Sequence, residues 1–93
     1  MQQLKIFYLD GCPYCIKART AVDALRAENP VYRSIEIEWI EESLHPEIAD
    51  RYDYYRVPSI FCGEEKLFEC SPKDDASEIR RQTERALQFA AER

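Results

Sequence analysis

The feature that most limits how this chain can fold is a six-residue stretch near its start. Leu4-Lys5-Ile6-Phe7-Tyr8-Leu9 is apolar at nearly every position and is broken by Asp10-Gly11. Such a run reads as a central strand buried on both faces, because a half-exposed strand would alternate. Cys12-Pro13-Tyr14-Cys15 follows the break, and from Pro13 the period changes. Ala18, Ala21, Val22 and Leu25 recur at i, i+3, i+4 and i+7, the core-facing stripe of a helix. Pro13 suits the first helical turn, where its missing N–H is no loss. The chain thus delivers two cysteines to the turn at which a buried strand feeds a helix.

Asn29-Pro30 is expected to end that helix, since the residue before a proline is pushed out of helical geometry. Ile35, Ile37 and Trp39 then alternate with Ser34, Glu36 and Glu38, which predicts a strand with one buried face and one wet face. A short helix is expected from Pro46 to about Tyr52, with Ile48, Ala49 and Tyr52 inward. Ser59-Ile60-Phe61-Cys62 and Lys66-Leu67-Phe68-Glu69, separated by Gly63-Glu64-Glu65, predict an antiparallel hairpin entered through Val57-Pro58. A last helix is expected to open at Ser71-Pro72, with Ser71 as its cap and Asp74-Asp75 in its first turn. Its inward stripe is Ile79, Thr83, Ala86, Leu87 and Ala90, with Arg80, Arg81, Glu84 and Arg85 toward water. The order is β-α-β-α-β-β-α. A strand–helix–strand unit requires a right-handed crossover, so the first two strands run parallel. The expectation is an α/β fold: a mixed four-stranded sheet flanked by three helices, one domain over residues 1–93.

Composition narrows the function. The chain has 18 acidic and 13 basic residues, a formal charge of −5, and no basic run. That excludes a nucleic-acid scaffold, which needs clustered Lys and Arg against phosphate. No apolar stretch reaches the roughly 18 residues that span a bilayer. The first ten residues are too soon charged for a secretory signal. A soluble, cytoplasmic, monomeric protein is expected. In a reducing compartment a close cysteine pair serves catalysis or metal more often than a permanent bridge. Cys62 and Cys70 stand eight apart and form no second C-x-x-C, and His45 is the only histidine. A four-ligand zinc site would therefore need all four cysteines, or three with His45, to converge.

The spacing suits redox chemistry. Only a thiolate is a useful nucleophile, and a cysteine just ahead of a helix meets unpaired N–H groups and the positive end of the helix dipole. Lys17 and Arg19 can add positive potential. Cys15, one turn on, can reach Cys12 and is less exposed. Cys12 is expected to attack a disulfide and Cys15 to resolve the mixed disulfide. Zinc or an iron–sulfur cluster held by Cys12 and Cys15 stays open as an alternative, as does an electron carrier dedicated to one partner protein.

The motif Cys12-Pro13-Tyr14-Cys15 on a strand-to-helix turn, with Val57-Pro58-Ser59 opening a later strand, resembles the dithiol glutaredoxins of the thioredoxin superfamily. The likeness extends to element order along essentially the whole chain. It implies a thioredoxin-like fold and a thiol–disulfide oxidoreductase with no bound cofactor. It also implies a cis Pro58 packed beside Cys12, a Val57 backbone that pairs with the bound peptide or glutathione, and Tyr14 flanking the same groove. Substrates would be protein or small-molecule disulfides, with a reductase or glutathione supplying electrons.

The chain departs from the family in places that matter for glutathione. Leu9 and then Asp10 stand where the family carries a basic residue before the first cysteine. Glu69 and Cys70 fall near its paired glycines, and Asp74-Asp75 come late. Side chains there should crowd the tripeptide, and Asp10 and Glu69 should repel its carboxylates. Glutathione is therefore expected to be used poorly. Cys62 reads as a small buried hydrophobe, Cys70 as structural, and His45 as a surface or capping residue. Tyr52, Tyr54 and Tyr55 read as core and loop packing.

Overall fold

The computed structural model describes residues 2–93. Among these residues four strands and four helices follow one another: β1 (Leu4–Tyr8), α1 (Pro13–Glu28), α2 (Pro30–Arg33), β2 (Ile37–Glu41), α3 (Pro46–Ala49), β3 (Ser59–Cys62), β4 (Glu65–Glu69) and α4 (Ala76–Glu92). They build one mixed sheet in the order β2-β1-β3-β4. β1 runs parallel to β2, with Ile6 opposite Trp39, and antiparallel to β3, with Ile6 opposite Ile60. β3 and β4 form the expected antiparallel hairpin, with a register shift between Ile60 and Phe61.

Side chains alternate along β1, so its apolar run feeds two cores. Leu4 and Ile6 join Val22 and Leu25 of α1 and Ile79 and Leu87 of α4 on one face. Phe7 meets Ile40 and Phe61 on the other. There the Tyr52 and Tyr54 rings lie 5.0 and 4.8 Å from the Phe7 ring, offset and tilted contacts of the kind aromatic rings favour. Tyr55, by contrast, is 91% exposed. The first face is covered by two long helices. The second has only α3, a single turn, and the loop behind it. Among the described residues no helix is long and apolar enough to cross a membrane.

Three expectations need correction. The helices number four, because Asn29 both ends α1 and caps α2, its side chain accepting from Val31 N at 3.0 Å. An Asn-Pro step stops one helix and equally starts the next. The second strand begins at Ile37, two residues later than Ile35, and its wet face, exposed at Glu36 and Glu38, ends at the buried Ile40. Finally, α4 starts at Ala76 with Asp75, not Ser71, as its cap; Asp75 Oδ1 accepts from Glu78 N at 2.9 Å. Asp75 with Glu78 three residues on is itself a capping pattern. Ser71 instead closes a turn, its N donating to Asp74 Oδ2 at 2.8 Å.

Candidate active site

The site begins where β1 ends. Cys12 N donates to Leu9 O at 3.2 Å, folding the chain back on itself. Gly11 makes that reversal with φ +81°, a left-handed conformation that costs a residue with a Cβ dearly. The turn leaves Cys12 at the N-cap of α1, with extended backbone and Pro13 as the first helical residue. Its sulfur takes the place of the usual capping oxygen: Cys15 N donates to Cys12 Sγ at 3.4 Å.

Cys12 is half-exposed, and Cys15, one turn inward, is 5% exposed. Burial pushes the Cys15 thiol up to about 12, with Cys12 and Cys70 adding to the shift. Both thiols are free. Cys15 opens onto a small cavity of about 140 Å³ shared with Ile16, Arg19 and Trp39. Arg19 lies over the Trp39 ring, 4.2 Å from its centre, and Lys17 over that of Tyr14 at 5.4 Å. Both cations named from the sequence thus rest on aromatic faces.

A residue the sequence did not single out fixes the turn from behind. Glu41, at the end of β2, is buried. It accepts from Asp10 N at 3.0 Å and from Ser43 N and Oγ at 2.7 and 2.6 Å. The Ser43 hydroxyl, chiefly, and these backbone N–H groups hold its carboxyl below the usual carboxylate range. An acid closing an otherwise ordinary strand carries no sequence signal for this role. The parallel pairing of β1 with β2 is what places Glu41 opposite Tyr8, next to the turn.

Opposite the turn, the Val57–Pro58 peptide is cis. Pro58 is buried, and its carbonyl accepts from Cys70 N at 3.0 Å. Val57, Tyr14, Leu9 and Cys70 line one groove of about 260 Å³. Tyr14 reaches across it, its hydroxyl donating to Pro72 O at 3.1 Å. Glu69 anchors the loop that leads to Val57. Its Oε2 accepts from Tyr55 N at 2.9 Å and Arg56 N at 2.8 Å, and its Oε1 pairs with Lys66 Nζ at 2.7 Å. That carboxylate was expected to face a ligand; it is instead fully engaged within the protein. Cys62 lies in the core at the end of β3, as expected. His45 sits at the N-cap of α3, where its side chain makes no capping bond and lies 3.5 Å from Glu47.

A larger cavity, about 570 Å³, lies over the thinly covered sheet face between Lys5, Tyr52 and Lys66, and no cysteine lines it. Among the described residues no group of three or more His, Cys, Asp and Glu side chains is arranged to hold a metal ion.

The glutaredoxin family model matches residues 4–67, which includes both cysteines of the C-x-x-C pair and Val57-Pro58. Among solved structures, thioredoxin 1 from the thermophilic eubacterium Thermosipho africanus TCF52B superposes with a TM-score of 0.59 at 19% identity, covering 94% of this chain and 96% of that one. That similarity establishes a thioredoxin-like fold. No curated protein sequence matches the chain.

Proposed function

Because the chain belongs to the glutaredoxin family, we propose that it is a dithiol thiol–disulfide oxidoreductase with Cys12 as nucleophile and Cys15 as resolving thiol. The observation that carries this reading is the asymmetry of the pair. Cys12 is half-exposed, with its sulfur on a free N–H of the helix start, while Cys15 is buried one turn behind it. A thiolate at Cys12 is stabilised by the N–H it accepts and by the helix dipole.

In the forward direction the Cys12 thiolate attacks one sulfur of the substrate disulfide, and the substrate's S–S bond breaks. One substrate sulfur stays on Cys12 and the other leaves as a thiolate that takes a proton. Cys15 then loses its proton and attacks Cys12 Sγ. The second substrate thiol is released and the Cys12–Cys15 disulfide carries the two oxidising equivalents. Burial keeps Cys15 protonated until this step, so the exposed sulfur attacks first. Val57, beside the cis-Pro58, offers backbone groups to an extended substrate, and Tyr14 forms the opposite wall.

The substrates in this reading are protein or small-molecule disulfides, met by a monomer in the cytoplasm with no resident cofactor. Electrons return from a reductase, and glutathione serves poorly as donor. Asp10 stands exposed by the turn, and Cys70 puts a side chain where the family's glycines leave room. Asp10 lies within the segment that matches the family model, and Cys70 beyond its end. The test is reduction of one small disulfide by the pure protein, with electrons from thioredoxin reductase in one arm and from glutathione with its reductase in the other. The reductase arm should turn over, the glutathione arm should lag, and Cys12→Ser should abolish both. Full activity in Cys12→Ser would overturn the reading.

A further inference from the structure

Cys70 lies outside the C-x-x-C pair, yet the fold binds it into the same site. Its backbone N donates to Pro58 O, which ties it to the cis-proline. Two residues on, Pro72 O receives the Tyr14 hydroxyl, which ties the same segment to the first turn of α1. Cys70 lines the groove with Tyr14 and Val57. The same groove carries Leu9 and Tyr14, which stand on either side of the turn that holds Cys12. Cys70, just past the end of β4, thus shares a groove with the residues that flank Cys12.

Resting on the oxidoreductase reading above, we propose that Cys70 is a second resolving thiol, able to take Cys12 out of a mixed disulfide by forming a Cys12–Cys70 bond. The step balances without any further reagent. The Cys70 thiol gives up its proton and its sulfur attacks Cys12 Sγ. The bond from Cys12 to the substrate sulfur breaks, and the substrate leaves as a thiol. Cys15 can then attack Cys12 Sγ in turn, forming the Cys12–Cys15 disulfide and returning Cys70 to the thiol. That exchange moves the disulfide with no net oxidation.

Two physical features favour such a role. Cys70 begins the segment between β4 and α4, residues 70–75, which is neither helix nor strand, so moving it gives up the bonds to Pro58 and Tyr14 but no strand pairing. Ionisation also gives Cys15 no advantage. Burial first, and the Asp74 carboxylate next, push the Cys70 thiol up to about 11, while Cys15 stands near 12. Each buried thiol is a slow nucleophile at neutral pH, so proximity to Cys12 decides which one acts.

The test uses the full chain in the variants Cys15→Ser, Cys15→Ser/Cys70→Ser and Cys15→Ser/Cys70→Ala, each checked for folding by circular dichroism. Each is reduced and mixed with one equivalent of dithiobis(nitrobenzoate). Release of the first nitrothiobenzoate reports attack by Cys12. In Cys15→Ser, a second equivalent should follow at least about tenfold faster than in either double variant. Its tryptic digest should join residues 6–17, which carry Cys12, to residues 67–73, which carry Cys70. A Cys12 adduct as long-lived in Cys15→Ser as in the double variants would overturn the proposal while leaving Cys12 as nucleophile. So would a link to residues 57–66, which carry Cys62. Failure to release even the first equivalent would overturn both this inference and the oxidoreductase reading.

Discussion

Replacing Glu69 by alanine separates two roles that this carboxylate can have. If its charge repels an anionic tripeptide, as its sequence position implies, Glu69→Ala should improve the use of glutathione. The structure assigns it a different task. One oxygen holds the Tyr55 and Arg56 N–H groups, and the other pairs with Lys66, with the Glu69 side chain 18% exposed. A hydrogen bond to a charged group contributes about 1.5–3 kcal/mol, and solvent screening at a loop moves the two toward the lower end, so the variant should lose about 2–3 kcal/mol. At this chain length each kcal/mol lowers Tm by about 4–8 °C, which gives a fall of about 10–20 °C. The sign of the pH dependence follows from the same contacts. Burial raises the Glu69 pKa, but Lys66 and the two N–H groups outweigh it and the net shift is downward. The contribution is therefore present above the ordinary carboxylate pKa and is lost as pH falls through the lowered value. Thermal melts of wild type and Glu69→Ala should thus converge in acid. Released from its anchor, the loop before Val57 should bind disulfide substrates more weakly, raising KM with either electron donor. A variant that melts within about 2 °C of wild type and reduces disulfides faster with glutathione would refute this reasoning and restore the repulsion account.

Three further outcomes are expected. Because burial dominates the raised pKa of Cys15, resolution of a Cys12 mixed disulfide should accelerate about tenfold per pH unit from pH 7 to beyond 9; stopped-flow traces that level off near the ~8.5 of a free cysteine would contradict it. Tying up Cys12 removes that thiol's own contribution, so the apparent value should lie below about 12 while staying above an ordinary thiol. Glu41→Ala should speed amide exchange at Asp10 and Ser43 and lower disulfide reduction, since the turn bearing Cys12 loses its acceptor; unchanged exchange at Asp10 would show that the turn holds itself. In wild type, the Glu41 contribution should vanish as pH falls through its lowered pKa, since folded protein holds fewer protons there than unfolded chain. Phe7→Ala should cost about 3–5 kcal/mol by urea denaturation, because Phe7 is fully buried among three aromatic rings; a loss under about 1 kcal/mol would mean that the second face is no core.

The parts of this fold that a sequence displays well are those set by a strong local period. The apolar run of β1, the α1 stripe through Ala18 and Leu25, and the α4 stripe from Ile79 to Ala90 all occupy the faces that the pattern indicates. What stayed hidden depends on neighbours distant in sequence. Ile40 reads as an interruption of the alternation until α3 and Tyr54 supply a second core for it. Glu41 looks like a surface acid until strand pairing sets it beside Asp10. Residues 71–75 offered two capping patterns, and only the contact of Tyr14 with Pro72 shows why the first is spent on a turn. At the site, the C-x-x-C pair stood out by its spacing, and Val57-Pro58 only through the family resemblance. The engagement of Glu69 did not, because its partners are backbone groups that no residue type announces.

The unequal covering of the two sheet faces has a consequence for motion. Cys12 and Cys15 ride on α1, which is clamped to α4 across the deeper core. Val57 packs instead on the cluster of Phe7, Ile40 and Phe61, which one turn of helix and two tyrosines enclose. Local opening starts where few apolar contacts must be given up, so the thin face opens before the thick one. The two walls of the groove therefore belong to different rigidity regimes. The wall on α1 keeps its shape while the wall at Val57 yields. Under the proposed function, a substrate loop of imperfect fit would be accommodated by reshaping residues 52–57, at no expense to the geometry of Cys12.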